Sequence, residues 1–180
     1  IKRDISAQDI DSRKDLRSLN FVTIDGSNAK DFDDAVYAEE SSDGYLLYVA
    51  IADVSEYVLQ DSSLDKEALS RATSVYFEKK VIPMLPELIS NKLCSLRPNE
   101  DKLVLTCQIY LDVEGEIKSY EFFNSVICSK NRLTYDEVEK FYQKGKTALS
   151  DDIVSNLNAL KKIHALRRKI REERKAIDFY

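Results

Sequence analysis

The chain has 180 residues, 43% of them hydrophobic, a net charge of −5, three cysteines and one histidine. That is enough apolar material for one well-cored domain; no apolar run approaches the roughly 20 residues that span a bilayer as a helix, and no basic-then-apolar leader opens the chain, so a soluble, cytoplasmic protein without a membrane partner is expected. The acidic balance argues against indiscriminate nucleic-acid binding, yet the charge is uneven: residues 1–60 carry 13 acidic and 6 basic side chains, whereas residues 161–180 carry 3 and 8.

Residues 1–20 are polar and poor in large apolar side chains, which reads as a lead-in to a domain at 21–180. The run Phe21-Val22-Thr23-Ile24 predicts a strand ending at Asp25-Gly26, and Ser27-Asn28-Ala29-Lys30 a loop; Phe32 and Ala35-Val36-Tyr37 then resume apolar character. Residues 45–52, bounded by Asp43-Gly44, read as a buried central strand closed by Asp53. A helix is expected over 62–72 with Asp61 or Ser62 as its cap, then β character over 73–77. Pro83 and Pro86 punctuate an irregular stretch before a short helix at 87–93. Residues 103–111 and 117–129 pattern as a long hairpin, Thr134 opens a helix, and Asp151 or Asp152 caps a long final one. The fold class is α+β: a mixed β-sheet with helices packed around it, without repeats. The basic helix from Lys161 to Lys175 reads either as a solvated face or as a track for a phosphate backbone. Cys94, Cys107 and Cys128, odd in number and set among apolar neighbours, suit buried reduced thiols. The lone His164 on a helical pattern makes a histidine-dependent triad improbable.

Four aspartates, Asp25, Asp31, Asp33 and Asp34, fall within ten residues. Two carboxylates about 4 Å apart repel by roughly 4 kcal/mol at an effective dielectric of about 20, and Lys30 cannot neutralise four of them. Oxygen-only ligands without nearby His or Cys point to a hard divalent cation, Mg²⁺ or Mn²⁺ before zinc or copper. An EF-hand register from Asp25 would need ligands near Ser27 and Ala29 and a Glu at Val36, and one from Asp31 a Gly at Val36 and a Glu at Ser42, and both fail. A phosphatase DxD directly after an apolar strand fails too, because Asp31-Phe32-Asp33 follows Asn28-Ala29-Lys30. A merely solvated acidic loop is disfavoured because the acids alternate with Phe32, Ala35 and Val36.

The stretches RKDLR at 13–17, FVTIDGSNAKDFDDAVY, YVAIADVSEYV, RATSVYF, VIPMLPELISNKLCSLRPNEDKLVLTCQ and RLTYDEVEKF occur in this order along nearly the whole chain. In that order they resemble the catalytic RNB domain of the ribonuclease II and ribonuclease R family, most of all its bacterial ribonuclease R branch. One departure stands near the end, where Lys175 occupies a position at which the family commonly has Gly. The resemblance implies a hydrolytic, processive 3′→5′ exoribonuclease that acts on the single-stranded 3′ end of RNA and releases nucleoside 5′-monophosphates. Carried over by position, Asp25, Asp31, Asp33 and Asp34 match the metal-holding aspartates, with Asp33 the one most tied to the chemical step. Tyr76 matches a tyrosine that stacks on a base near the 3′ end; read from the residues alone it is a core aromatic. The implied cofactor is Mg²⁺, with Mn²⁺ as the alternative ion. The resemblance also implies that Phe179-Tyr180 falls mid-domain, so that the second half of the RNB domain, with a pocket arginine, and flanking OB-fold domains are expected in the full-length protein. The alternative is a non-catalytic RNA-binding or regulatory relative, which would ordinarily have lost one or more of the aspartates.

Overall fold

The computed structural model describes residues 5–78, 80–145 and 148–176. In chain order these form α1 (Ala7–Asp11), β1 (Lys14–Asp15), β2 (Val22–Asp25), β3 (Asp34–Ser41), β4 (Gly44–Ala52), α2 (Ser63–Arg71), β5 (Val75–Phe77), β6 (Lys80–Ile82), β7 (Asp101–Asp112), β8 (Ile117–Cys128), β9 (Asn131–Thr134), α3 (Tyr135–Lys144) and α4 (Asp151–Glu173). Seven strands make one mixed sheet in the order β1-β8-β7-β4-β3-β2-β9, and β5 and β6 form a separate ribbon. The α+β expectation holds. The antiparallel β3, β4, β7 and β8 are its centre, and two parallel pairings, β1 with β8 and β2 with β9, close its edges.

Each face of the sheet is covered differently. One packs Phe21, Ala35, Tyr48, Ala50 and Val104 against Phe32, Ile89, Cys94 and Leu96, which come from segments between the strands. The other receives α3 and α4, with Val22, Leu133, Val138, Phe141, Ile153 and Leu157 in one cluster and Ala38, Leu111, Ala159 and Ile163 in the next. Asn156 is 1% exposed and pins α4 to the sheet: its Oδ1 accepts from the Ala38 N–H at 2.9 Å and its Nδ2 donates to the Asn20 carbonyl at 2.9 Å. Strand β4 is central as expected but not buried throughout, Ile51 being 46% exposed.

Several boundaries follow local chemistry. Ser62 caps α2, accepting the Asp65 N–H, and Thr134 opens α3 in a reciprocal capping box with Glu137. The final helix begins one residue earlier than expected: Ser150 is its N-cap, while Asp151 and Asp152 lie in the first turn, where negative charge suits the helix dipole. The expected short helix at 87–93 contains a π-type turn over Ile89–Leu93. Much of the basic face of α4 is engaged in pairs, Lys162 with Glu40 at 2.7 Å, Arg168 with Glu172 at 3.0 Å and Lys169 with Glu173 at 3.9 Å, in keeping with a solvated helix surface.

The stretch expected as a lead-in is joined to the sheet. Lys14 and Asp15 pair in parallel with Ser125 and Val126, Leu16 enters the core, and the Arg13 guanidinium, 6% exposed, bonds Asp53 at 2.6 Å and Glu56 at 3.1 Å. Pairing with a strand more than a hundred positions away leaves no local hydrophobic pattern, which is why polar composition misleads here. Residues 1–4 of that stretch and Ile177-Asp178-Phe179-Tyr180 lie outside the described residues. The three cysteines are free; Cys94 is buried, whereas Cys107 and Cys128 are only partly so.

Lys175 follows the C-cap of α4 with φ of 56°, a left-handed conformation that glycine adopts without strain. Lys175→Gly should therefore stabilise the fold slightly, by about 1 kcal/mol. A shift in the denaturant midpoint checks it.

Candidate active site

Strand β2 ends on Asp25 and β3 begins on Asp34; the two are antiparallel neighbours, with Val22 opposite Val36. Continuing that register past the ladder brings Asp25 level with Asp33, so a strand end meets a strand start. The path of the connecting loop is fixed by its backbone. Ala29 N–H donates to the Gly26 carbonyl at 3.1 Å, Ala52 N–H to that of Asp33 at 2.9 Å, and Leu96 N–H to that of Phe32 at 2.8 Å. The Ser95 hydroxyl, 0% exposed, donates to the Lys30 carbonyl at 2.9 Å and accepts the Phe32 N–H at 3.1 Å. One buried hydroxyl thus holds the chain on both sides of Asp31. Phe32 goes into the core between two aspartates that stay at the surface, Asp31 half-buried and Asp33 exposed.

The four carboxylates feel one another. Loss of surrounding water raises the Asp33 carboxyl above its usual value, and the charges of Asp31, Asp34 and Asp25 push it the same way. Asp34 is raised by the same partial desolvation and then by Asp25. Among the described residues no ion pair engages any of the four; Asp25 Oδ1 accepts only the adjacent Gly26 N–H, at 2.8 Å. Nor, among those residues, do three His, Cys, Asp or Glu side chains already converge as a finished set of metal ligands. The donor chemistry fits a hard divalent ion, because the available groups are carboxylate oxygens. Cys94 lines the same space, but burial, with the Asp33 charge adding to it, pushes its thiol up to about 11, so it stays protonated at neutral pH.

Two adjoining cavities open here. The larger, about 680 Å³, is lined by Asp25, Asn28, Lys30, Asp31, Tyr76 and Asn91 among others. The smaller, about 270 Å³, is lined by Asp31, Asp33, Ser74, Tyr76, Ser90 and Cys94 among others. Tyr76, on β5 and 69% exposed, therefore faces the same space as three of the four aspartates, which overturns its reading as a core residue. Asp34 lines neither cavity and sits in β3 opposite Ile51. Sequence reasoning missed Ser95, Ser90 and Asn91. For Ser95 a signal exists: a lone hydroxyl between the apolar Cys94 and Leu96 has to find hydrogen-bond partners when buried.

The aspartates at the junction of β2 and β3 and the ribbon tyrosine Tyr76 belong to the stretches that carry the resemblance noted in the sequence. The RNB domain family matches residues 13–180, and the chain belongs to that family. Ribonuclease R of Acidithiobacillus ferrooxidans is 48% identical over 169 residues, covering 93% of this chain and 38% of that protein. The chain thus spans well under half the length of that relative. A structure of Mycoplasma genitalium RNase R in complex with double-stranded RNA matches with a TM-score of 0.94 at 37% identity, over 98% of this chain and 32% of the other. Yeast Ssd1, a pseudonuclease, matches with a TM-score of 0.78 at 21% identity, over 93% and 20% of the two chains, a likeness of fold alone.

Proposed function

We propose that this chain is the aspartate-bearing part of a hydrolytic, processive 3′→5′ exoribonuclease that degrades RNA to nucleoside 5′-monophosphates. The observation that carries this reading is the pair of adjoining cavities that Tyr76 lines, one together with Asp25 and Asp31 and the other with Asp31 and Asp33. Asp25, Asp31, Asp33 and Asp34 hold Mg²⁺, with Mn²⁺ as the alternative ion. When bound, a pair of such ions activates water and stabilises the leaving 3′-oxygen. Asp33, the most crowded of the four carboxylates, serves the chemical step. Tyr76 stacks on a base near the 3′ end, a contact worth roughly 1–3 kcal/mol per base and indifferent to sequence. In this reading the chain works in the cytoplasm within a longer protein, whose OB-fold domains flank it and deliver the single-stranded 3′ end.

The test uses that longer protein on 5′-labelled single-stranded RNA, with and without Mg²⁺. Mg²⁺-dependent shortening to a short end product is expected, with mononucleotide released; no metal-dependent shortening would remove the proposal. Tyr76→Ala should leave the chemistry largely intact but raise the length of the end product by one or more nucleotides. An end product of unchanged length on a denaturing gel would take the stacking role away from Tyr76.

A further inference from the structure

The RLTYDEVEKF stretch contributes β9 and the capping box of α3, and one of its side chains reaches elsewhere. Arg132, on β9, sits beside Thr23 of β2 in the parallel pairing. Its Nη2 donates to the carbonyl of Gly26 at 3.0 Å and to that of Ser27 at 2.7 Å, the two residues that follow Asp25. The same guanidinium lies over the ring of Phe32, 5.5 Å from its centroid, and Phe32 separates Asp31 from Asp33. Its Nε is shielded from solvent and has no hydrogen-bond partner among the described residues. The directional bonds of this side chain are thus with the aspartate loop.

We infer that Arg132 is a positioning residue for the aspartate cluster, gripping the loop just after Asp25 and, across it, the ring between Asp31 and Asp33. A planar guanidinium suits this task because one nitrogen spans two carbonyls while the flat face rests on an aromatic ring. A lysine carries donors enough for two carbonyls but concentrates them on a compact ammonium, with no flat face to rest on the ring. Arg132 pairs with none of the four carboxylates among the described residues. It acts through the loop's path and leaves the acidic oxygens to a cation.

The inference rests on the metal-holding reading of the aspartates, and its test separates the two. Arg132→Gln and Arg132→Lys would be compared with the unaltered chain by Mn²⁺ titration calorimetry, by amide hydrogen exchange and by thermal unfolding. Arg132→Gln should weaken Mn²⁺ binding by about 10-fold or more and speed exchange at Gly26 to Lys30, with protection in β7 and β8 unchanged. Arg132→Lys should fall between and decides the matter if the Gln variant does not fold. A folded variant with unaltered loop exchange and unaltered Mn²⁺ affinity would overturn the positioning role, as would a loss of protection spread evenly over the sheet. Should the unaltered chain bind no Mn²⁺, the metal reading fails, and selective loosening of the loop still decides whether Arg132 positions it.

Discussion

Asp33→Asn in the longer protein should lower turnover by roughly 10²–10⁴-fold, the contribution of a well-placed acid–base group, while RNA affinity stays within a few-fold. The substitution keeps the shape of the side chain and the backbone bond from Ala52 N–H to the Asp33 carbonyl, so the loop is not disturbed. It removes the charge whose surroundings are most hostile to it, since partial desolvation and three neighbouring aspartates all raise the Asp33 carboxyl. A raised carboxyl in the folded state means that the folded chain holds this proton at higher pH than the unfolded chain. The charged form therefore costs stability near neutrality, and the cost disappears as pH falls through the raised value. Without divalent ions, Asp33→Asn should accordingly be somewhat more stable than the unaltered protein near pH 7, with the difference shrinking on acidification. Single-turnover cleavage and melting curves at two pH values report the two effects. Near-normal cleavage would end the role given to Asp33.

Gly44→Ala should be among the most damaging single changes to stability. Gly44 opens β4 directly after the tight turn from β3, with Ser41 opposite it, and its φ of +145° is one that residues with a side chain rarely adopt. A Cβ there would overlap the Leu111 carbonyl oxygen and lie 2.7 Å from the carbonyl carbon and Cα of Asp112. These are backbone atoms of β7, paired to β4 and unable to swing aside. Backbone strain of about 1–3 kcal/mol and overpacking of about 1–3 kcal/mol add to roughly 2–6 kcal/mol, a large part of a typical domain's stability of about 5–15 kcal/mol. Gly26→Ala is the control: nothing lies within 4 Å of its added Cβ, and the change should stay within about 1 kcal/mol. Denaturant midpoints of the two variants should differ clearly.

The elements that were legible in the sequence advertise themselves locally. Ser62 and Thr134 carry side-chain oxygens that cap their own helices, and the β7–β8 hairpin needs only its own residues to pair. What stayed hidden depends on distant partners. The two residues of β1 and the four of β9 become strands because β8 and β2 offer free edges, and β6 is three residues stopped by Pro83. The site divides in the same way. The crowding of Asp25, Asp31, Asp33 and Asp34 was visible as composition, and the strand ending at Asp25 and the apolar run from Ala35 marked their place; the grip of Ser95 on the loop, from more than sixty positions away, left no mark within the acidic stretch. Tyr76 could not be told from a core aromatic by pattern alone, because β5 belongs to an exposed two-stranded ribbon and not to the main sheet.

The parallel pairing of β2 with β9 also sets an order of events during synthesis. Arg132 lies 106 positions after Gly26, and at about 5–20 residues per second a ribosome needs roughly 5–20 s to cover that distance. Closing so long a loop, and pairing strands so far apart, is among the slow steps of folding. Through that interval the acidic loop has emerged without the strand that flanks it. On the metal-holding reading proposed above, cation affinity would therefore be acquired late, when β9 docks beside the aspartate loop.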